Sequence, residues 1–242
     1  MSPTEEQDET PAESSPDSYR EVSSAITLPV RSFFRPARGR ARSLLVALHG
    51  MGQSARYLEA RLGCLRDPER ALLIPDAPLP FEMKSADGSR REGHAWYIYT
   101  GDQEAFLQSA RRTAAWLKKL IVDVRRAENL ETTPVVLVGY SQGGYFAGLF
   151  AAQAGLVPAR LVVINGRLKD EIVDAKQARS WPPTLVLHGE KDRFLPIERA
   201  RMSAEALARA GAPVAFQGFP SGHGLNPDQI TAAHAWLREA GL

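Results

Sequence analysis

The sequence predicts an α/β fold with a mostly parallel central sheet and helices on both of its faces. Six short, continuous apolar runs are predicted to be strands, and they alternate with stretches of helical periodicity. Because strands buried on both faces are apolar throughout, this pattern favours a parallel sheet. Ligands bind such sheets beyond the carboxyl ends of the strands, so we expect the chemistry there. The strands are predicted at residues 44–48, 71–74, 135–138, 161–164, 184–187 and 213–216.

Length and composition favour a single folded domain over residues 25–242, preceded by a disordered acidic tail over residues 1–24. The chain has 242 residues, of which 44% are hydrophobic and 24% are charged, enough to bury one substantial core. Residues 1–21 carry seven acidic side chains and one basic side chain, and the tail contains almost no large apolar residue. Such a segment cannot offset the entropy cost of ordering, so we predict that it is disordered.

The charge pattern and the apolar runs exclude several classes of protein. Residues 22–242 carry 29 Lys and Arg against 21 Asp and Glu, but the basic residues are spread out, without the aromatic interleaving typical of nucleic-acid binding. No apolar run reaches the ~18 residues of a membrane span, and no signal-peptide pattern is present. We therefore expect a cytoplasmic protein without stable membrane insertion and without a nucleic-acid partner. The sequence does not indicate an oligomeric state.

Residues 103–126, the longest helical stretch, carry an apolar stripe that would cover one face of the sheet and is predicted to be core. Toward the N-terminus, "AITLPVRSFF" (residues 25–34) predicts an extended run or a strand pair. Cys64, the only cysteine, lies in the apolar-periodic helix predicted at residues 55–65, and we expect a small core residue rather than a nucleophile. The stripe is formed by Phe106, Ala110, Ala114, Leu117, Ile121 and Val124.

The segment "VVLVGYSQGGYFAGLF" places Gly139, Ser141 and Gly143 between a predicted strand and an apolar helix. This is the context of a nucleophile elbow, a sharp strand-to-helix turn that exposes a serine hydroxyl. Glycine is needed two residues before and after the serine, because a Cβ at either position would collide with the neighbouring strand or helix. The backbone N–H of Gln142 and the positive end of the helix would face developing negative charge. Ser141 is therefore the predicted nucleophile.

A serine nucleophile needs a base, and in this arrangement the acid and then the histidine follow the serine along the chain. Asp192 follows a strand in "TLVLHGEKDRFLP", and His223 follows the last strand, between two glycines, in "FQGFPSGHGLNP". Both lie where they can converge on Ser141. His188 is predicted to brace the loop that carries the acid. His94 in a charge-rich loop and His234 in the last helix are predicted to be structural or exposed. Asp170 and Asp174 rank well below Asp192 as the acid, because their segment has no strand end to fix them.

The turn after the first buried strand, in "LLVALHGMGQSA" (residues 44–55), allows two interpretations. Gly50, Gly52 and Ala55 fit the G-x-G-x-x-A turn of a dinucleotide-binding unit, and Asp76 would then bind a ribose. Alternatively, a His-Gly pair after a strand is typical of a turn whose backbone N–H groups hold an oxyanion. The dinucleotide interpretation leaves the predicted elbow, acid and base unexplained, so we favour the oxyanion turn.

Taken together, the motifs resemble the phospholipase/carboxylesterase family of α/β-hydrolases, which includes acyl-protein thioesterases and small bacterial carboxylesterases. The resemblance spans about residues 43–240 and rests on the ordered segments "LHGMGQS", "PDAP", "AWY", "GYSQGG", "HGEKD" and "GHG". It implies an α/β-hydrolase fold, a mostly parallel central sheet with helices on both faces. It also implies that Ser141 is the nucleophile, Asp192 the acid and His223 the base.

The same resemblance implies that the backbone N–H groups of Met51 and Gln142 form the oxyanion hole. No cofactor is implied, and the His and Cys residues show no metal-ligand spacing. Two positions depart from the family pattern: no aspartate follows the Trp-aromatic pair at the usual place, and an arginine rather than a proline follows the predicted acid. Substrate preference is therefore not carried over. Tyr140 and Trp96 are expected to bind substrate, with Phe81, Met83 and Met51 as further candidates.

The predicted function is that of a serine hydrolase that cleaves small-molecule carboxylic esters through a Ser-His-Asp triad and an acyl-enzyme intermediate. Thioesters and lysophospholipids are further candidate substrates. The alternative hypothesis is a non-catalytic ligand-binding protein on the same fold, because a fold does not guarantee a function. A broken triad or elbow would favour that alternative, and the sequence breaks neither.

Overall fold

A seven-stranded mixed sheet forms the centre of the computed structural model, which describes residues 22, 24, 26–84 and 87–242. Short 3-10 turns cover Gly63–Arg66 and Asp170–Ile172. The strands assigned in the described residues are β1 (Ser32–Arg35), β2 (Leu44–Leu48), β3 (Ala71–Pro75), β4 (Leu79–Lys84), β5 (Arg90–Ala95), β6 (Val135–Tyr140), β7 (Arg160–Ile164), β8 (Thr184–Gly189) and β9 (Val214–Phe219). The helices are α1 (Ala55–Glu59), α2 (Gln103–Ala127), α3 (Gln142–Gln153), α4 (Ala175–Arg179), α5 (Ile197–Arg209) and α6 (Pro227–Glu239).

The strand order across the sheet is β1-β3-β2-β6-β7-β8-β9. β1 is antiparallel to its neighbour β3, and all other neighbouring strands of this sheet are parallel. Parallel strands have their carboxyl ends at the same edge of the sheet, so the residues that follow β2, β6, β7, β8 and β9 lie near one another. The remaining strands, β4 and β5, form an antiparallel hairpin of their own.

Alternate side chains of the central strands pack into two separate cores, one on each face of the sheet. In β2, Leu44 and Val46 belong to one core, and Leu45 and Ala47 belong to the other. Helices α2, α3 and α5 contribute to the first core, and α1 and α6 contribute to the second. Full burial of one aliphatic side chain stabilises the fold by roughly 1.5–3 kcal/mol. The prediction of a mostly parallel sheet with helices on both faces is thus confirmed.

All six predicted strands are present, and several run further toward their carboxyl ends than the apolar pattern indicates. β6 ends at Tyr140 and β8 at Gly189, beyond the last aliphatic residue of each run. The predicted helix over residues 103–126 is α2, which begins after Asp102, whose side chain accepts hydrogen bonds from two backbone N–H groups of the first turn. The extended run predicted over residues 25–34 overlaps the edge strand β1, which ends one residue beyond it.

The predicted acidic tail over residues 1–24 lies outside the described residues, except for residues 22 and 24, and it stays a prediction. In the part of the chain that the structure describes, no helix is both long enough and apolar enough to cross a bilayer. The longest helix, α2, has 25 residues but is amphipathic, with one face buried on the sheet and the other exposed.

The hairpin of β4 and β5 is missed by the sequence pattern, and the prediction that His94 lies in a loop is wrong. His94 lies in β5 and is 9% exposed. The hairpin keeps most residues of β4 exposed, so it shows neither the continuous apolar run nor the alternation that marks a strand in sequence. It docks on the turn after β2, where the N–H of Gly52 donates to the carbonyl of His94 at 2.8 Å.

Cys64 is exposed, so the prediction that it is a core residue is wrong. The helix predicted over residues 55–65 ends at Glu59, and the chain enters a 3-10 turn through Gly63, whose φ is +48°. This left-handed residue breaks the helical phase on which the prediction depends. The leucines on either side of Cys64 fill the core instead.

Helix α3 begins so close to the ends of β2 and β6 that only glycine fits at two positions. A Cβ added to Gly143 would lie 2.5 Å from the carbonyl oxygen of His49. A Cβ added to Gly139 would lie 2.5 Å from the carbonyl carbon of Gly143. Both neighbours are backbone atoms, which cannot move aside as a flexible side chain can. This packing is the steric requirement expected for the turn at Ser141.

We expect Gly143→Ala to lower the free energy of unfolding by about 3 kcal/mol, because the new methyl group must displace backbone rather than a side chain. Gly148→Ala in the same helix is the matched control. The closest neighbour of its Cβ would be the end of the Leu168 side chain, at 3.0 Å, and the nearest backbone atom would be in ordinary contact at 3.9 Å. Because alanine also favours the helix, the control should stay within about 1 kcal/mol. Urea unfolding measures both values, and equal effects would contradict the steric argument.

Candidate active site

Ser141 lies at the sharp turn between β6 and α3. Its backbone has φ +54° and ψ −118°, a conformation that residues other than glycine rarely adopt. Neighbouring backbone groups hold this conformation: the N–H of Ser141 donates to the carbonyl of Ile164 at 2.9 Å, and its own carbonyl accepts from Tyr145 at 3.0 Å. The side chain does not cap the helix, so its hydroxyl is available at the carboxyl edge of the sheet.

Three side chains from the ends of β6, β8 and β9 form one hydrogen-bonded chain. The Nδ1–H of His223 donates to Oδ2 of Asp192 at 2.7 Å. This bond leaves the lone pair on Nε2 of His223, which lies 2.8 Å from Oγ of Ser141. The structure thus brings together the predicted nucleophile, base and acid, with the imidazole oriented to accept the serine proton.

Asp192 is nearly buried, and its other oxygen is held by the backbone of its own loop. Oδ1 accepts from the N–H groups of Phe194 at 2.9 Å and of Leu195 at 3.0 Å. Burial alone would raise the pKa of Asp192, but these bonds and the contact with His223 outweigh burial and lower the pKa. The carboxylate therefore stays charged while it orients the imidazole.

His188, at the end of β8, contacts the same carboxylate, as the sequence analysis predicts for a residue that braces the acid loop. Its Nε2 lies 2.8 Å from the carbonyl oxygen of Leu195 and 3.3 Å from Oδ2 of Asp192. Because both neighbours are acceptors, Nε2 carries the proton. The side chain is fully buried, so this donor ties the start of the acid loop to its end.

The predicted oxyanion donors, Met51 and Gln142, lie after β2 and at the start of α3. Among the described residues, neither backbone N–H finds a hydrogen-bond acceptor within the protein, so both are free to donate. The side chain of Gln142 fastens the elbow to the loop after β5. It accepts from the N–H of Trp96 at 3.0 Å and donates to the carbonyl of Tyr97 at 3.2 Å.

The side chain of His49 holds the turn that carries Met51. Sequence analysis considers only the backbone of this turn and gives the His49 side chain no role. Its Nδ1–H donates to the carbonyl of Gly50 at 2.7 Å, and its Nε2 accepts from the N–H of Ala77 at 3.0 Å. The carbonyl and the following N–H of a trans peptide point in opposite directions. Fixing the Gly50 carbonyl therefore fixes the direction of the Met51 N–H. The indole of Trp96 adds a bond to the His49 carbonyl at 2.7 Å.

Two predicted substrate-binding side chains are buried instead. Trp96 is 0% exposed and stacks on Phe146 with ring centroids 5.2 Å apart, so it presents no surface to a substrate, and its predicted role is wrong. Tyr140 is 6% exposed, and its hydroxyl donates to the carbonyl of His223 at 2.9 Å. Both side chains bond to backbone carbonyls of the segments that carry the predicted site residues, Trp96 to His49 and Tyr140 to His223.

Other apolar side chains expose surface near His223 and near the turn after β2. Met51 is 63% exposed and Phe81 is 37% exposed, whereas Met83 packs against the turn at Gly52. Phe194 is 84% exposed, and its ring centroid lies 5.1 Å from that of the His223 imidazole. Sequence analysis misses Phe194, whose only signal is its place two residues after the acid.

Asn165 is another residue of the site that sequence analysis misses. It directly follows β7, is fully buried and has φ +48°. Its side-chain amide contacts the loops of both the acid and the base, donating to the carbonyl of His223 at 2.8 Å and accepting from the N–H of Gly189 at 2.9 Å. The signal in the sequence is a polar residue at a strand end, without any motif to assign its role.

Neither a dinucleotide site nor a metal site is formed by the residues that the structure describes. Asp76, the ribose partner in the dinucleotide interpretation, is 1% exposed, accepts from the N–H of Ala55 at 2.6 Å and pairs with Arg31 at 3.0 Å. Within residues 26–84 and 87–242, no three His, Cys, Asp or Glu side chains are arranged to hold a metal ion. Asp174, a lower-ranked acid, caps α4.

Burial lowers the pKa of His49 to about 4, although the Gly50 carbonyl and the charge of Asp76 favour its protonated form. The unfolded chain takes up a proton on this histidine near pH 6.5, so the stabilisation is complete above pH 6.5 and is lost as the pH falls toward 4. We expect this residue to account for about 3 kcal/mol of the acid-dependent loss in free energy of unfolding.

The measurement is urea unfolding between pH 7 and pH 4 for the native chain and for His49→Asn. Asparagine does not titrate, so the variant should lose about 3 kcal/mol less over this range, whatever its stability at pH 7. Parallel losses in the two proteins would contradict a buried neutral imidazole.

Comparisons with known proteins agree with this fold and these motifs. The family model described as Phospholipase/Carboxylesterase matches residues 32–240. Acyl-protein thioesterase 1 of Gibberella zeae is 23% identical over 222 residues, which cover 84% of this chain and 93% of that protein. The crystal structure of esterase PE8 is 25% identical, with a TM-score of 0.69, and covers 88% of this chain and 99% of its own. That of Zea mays acyl-protein thioesterase 2 is 22% identical, with a TM-score of 0.68 and the same coverage of both chains.

The family match includes every strand of the sheet and every side chain of the hydrogen-bonded chain from Ser141 to Asp192. The family is one of hydrolases, and the sheet order and helix layers described above are those of its fold. The chain therefore belongs to the phospholipase/carboxylesterase family of α/β-hydrolases.

Proposed function

We propose that this protein hydrolyses carboxylic esters and thioesters, with Ser141 as nucleophile, His223 as base and Asp192 as acid. The observation that carries the proposal is the continuous chain of hydrogen bonds, 2.8 Å from Ser141 to His223 and 2.7 Å from His223 to Asp192. These distances suit direct proton transfer. A protein that only binds a ligand has no need for a serine hydroxyl bonded to an oriented imidazole.

In the first half of the reaction, Nε2 of His223 takes the proton of Ser141 as Oγ attacks the substrate carbonyl carbon. The imidazole becomes charged, and the Asp192 carboxylate stabilises that charge across the 2.7 Å bond. Collapse of the tetrahedral intermediate passes the proton to the leaving alcohol or thiol and leaves an acyl group on Ser141. Water then repeats the sequence, and the acid is released.

Negative charge develops on the carbonyl oxygen of the substrate, and the N–H groups of Met51 and Gln142 are the proposed donors to it. Their freedom from other acceptors and the direction that His49 imposes on the Met51 peptide support this role. The start of α3 adds the positive end of a helix 12 residues long. Donors fixed before the reaction need no reorganisation during it.

The exposed apolar side chains beside the triad support an acyl group as the bound part of the substrate. Phe194 and Met51 offer apolar surface next to the imidazole and the oxyanion turn. Two relatives are named acyl-protein thioesterases, which supports thioesters among the substrates, and we propose lysophospholipids as a further class. A panel of p-nitrophenyl esters from acetate to palmitate, with acyl-CoA thioesters, would rank these substrates.

We expect Ser141→Ala to lower kcat on p-nitrophenyl esters by about 10⁶, because no other hydroxyl in the described part of the chain is bonded to the imidazole of His223. A fluorophosphonate probe should label the native chain with one equivalent and leave the variant unlabelled. Ser180→Ala, at the exposed position that directly follows α4, is the matched control and should keep full kcat. Full activity in Ser141→Ala would refute the proposed nucleophile, and an unlabelled native chain would favour a binding protein.

We expect Asp192→Asn to lower kcat by up to about 10⁴, because the amide can place a donor against Nδ1 of His223 and reverse the imidazole tautomer. Asp174→Asn is the control. Asparagine also caps helices, so this variant should keep both its stability and its kcat. A loss below tenfold in Asp192→Asn, measured in the same assay, would show that another group orients the imidazole.

A further inference from the structure

The backbone carbonyl of His223 accepts two hydrogen bonds from buried side chains at the ends of two other strands. The hydroxyl of Tyr140, at the end of β6, donates to it at 2.9 Å. The amide of Asn165, after β7, donates to it at 2.8 Å. A loop carbonyl at the edge of a sheet would otherwise face water. Here the carbonyl is instead bonded to side chains at the ends of β6 and β7, the strand that leads to Ser141 and its neighbour in the sheet.

The orientation of the Asn165 amide follows from its partners. The N–H of Gly189 can only donate, so the side-chain oxygen of Asn165 must face it, at 2.9 Å. The Nδ2 group then faces the carbonyls of His223 and Gly224, which can only accept. The side-chain amide of Gln229, which is fully buried in α6, bonds to both ends of the Asn165 amide. Its Nε2 donates to the Asn165 oxygen at 2.8 Å, and its oxygen accepts from the Asn165 nitrogen at 3.3 Å.

The backbone of Asn165 explains how one side chain reaches so many partners. Its N–H still donates to Leu187 of β8 at 2.8 Å, but its φ of +48° then turns the chain out of the sheet. The side chain replaces the next backbone hydrogen bond between β7 and β8: its oxygen accepts from the N–H of Gly189, the last residue of β8. Asparagine is among the few residues that tolerate this conformation. Asn165 thus connects the strand that leads to the acid with the loop that carries the base.

Tyr140 is suited to be a permanent donor. Its ring is 6% exposed, and burial raises the pKa of Tyr140 to about 12, so the hydroxyl keeps its proton throughout the range in which an esterase is assayed. Its centroid lies 5.6 Å from that of the His223 imidazole. Because Tyr140 immediately precedes Ser141, its hydroxyl ties the base to the residue next to the nucleophile.

We propose that Tyr140 and Asn165 are positioning residues for catalysis: together they clamp the His223 carbonyl and thereby set the imidazole at its distance from Ser141. This proposal rests on the proposed function. Two rotatable bonds, Cα–Cβ and Cβ–ring, connect the imidazole to this backbone. The hydrogen bond to Asp192 fixes the rotation of the ring about them. The carbonyl clamp fixes the remaining freedom, the position of the backbone itself. Displacement of a reacting group by about 1 Å can cost about 100-fold in rate.

The test uses Tyr140→Phe, Asn165→Asp and the double variant, with p-nitrophenyl esters as substrates. Phenylalanine removes only the hydroxyl, and aspartate keeps the left-handed backbone and both acceptor bonds but lacks the amide donors. We expect kcat per active site to fall about threefold in each single variant and more than tenfold in the double variant, because one donor partly compensates for loss of the other. KM should stay within about twofold, since neither side chain offers surface to the substrate.

Burst titration with the same esters counts the active sites, so that a loss of folded protein does not count as a loss of kcat. The rate of inactivation by a fluorophosphonate probe should fall in parallel with kcat, because it requires the same proton transfer. Tyr99→Phe, in the exposed loop after β5, and Asn129→Asp, another asparagine with positive φ, are the controls and should keep native kcat.

Unchanged kcat per titrated site in the double variant would overturn the clamp. So would a rise in KM without a fall in kcat. If Asn165→Asp does not fold, the kcat of Tyr140→Phe alone tests the clamp. This variant lacks only one hydroxyl oxygen, so its expected threefold fall in kcat can be attributed to the lost hydrogen bond. Failure of the clamp is distinct from failure of the proposed function, which would appear as activity that survives Ser141→Ala.

Discussion

The contact between helix α3 and the ends of β2 and β6 is the constraint on which the site depends. Backbone lies directly against backbone there, with glycine at positions 139 and 143 because no Cβ can be accommodated. The close approach forces the chain through the strained turn at Ser141 and leaves the serine hydroxyl at the carboxyl edge of the sheet. The backbone N–H of Gln142, the first residue of α3, has no acceptor among the described residues and lies at the same edge. The proposed nucleophile and the proposed oxyanion donor therefore have a common geometric origin.

A similar constraint joins the loops of the acid and the base. A Cβ on Gly189 would lie 2.5 Å from the carbonyl oxygen of Ser221, so the two loops are in backbone contact just before the residues that carry the chemistry. His188 bonds the start of the acid loop to its end, through the carbonyl of Leu195. The amides of Asn165 and Gln229 fill the buried space between the two loops. The hydrogen bond between His223 and Asp192 is thus supported by contacts that involve neither imidazole nor carboxylate.

Sequence periodicity predicts the central sheet, the longest helix and the residues that converge on Ser141, because buried parallel strands are apolar throughout and the sheet collects their carboxyl ends at one edge. Periodicity does not detect elements that have no buried face, and it fails where the helical phase is broken. The β4–β5 hairpin exposes most of one strand, and Cys64 faces out because a left-handed Gly63 breaks the helical phase. The burial of Trp96 and the contacts of Asn165 depend on elements distant in sequence. Such packing is absent from any local pattern.

The exposure of Phe194 bears on how this protein can diversify. Its backbone N–H supports the acid, yet its ring projects outward and is 84% exposed. Any residue except proline supplies the same N–H, so mutation at this position can change the exposed surface beside His223 without disturbing the proposed proton relay. Met51 combines a backbone donor and a projecting side chain in the same way. If the proposed acyl substrates are correct, selection for new ones can act on these two side chains while the buried scaffold behind them stays constant.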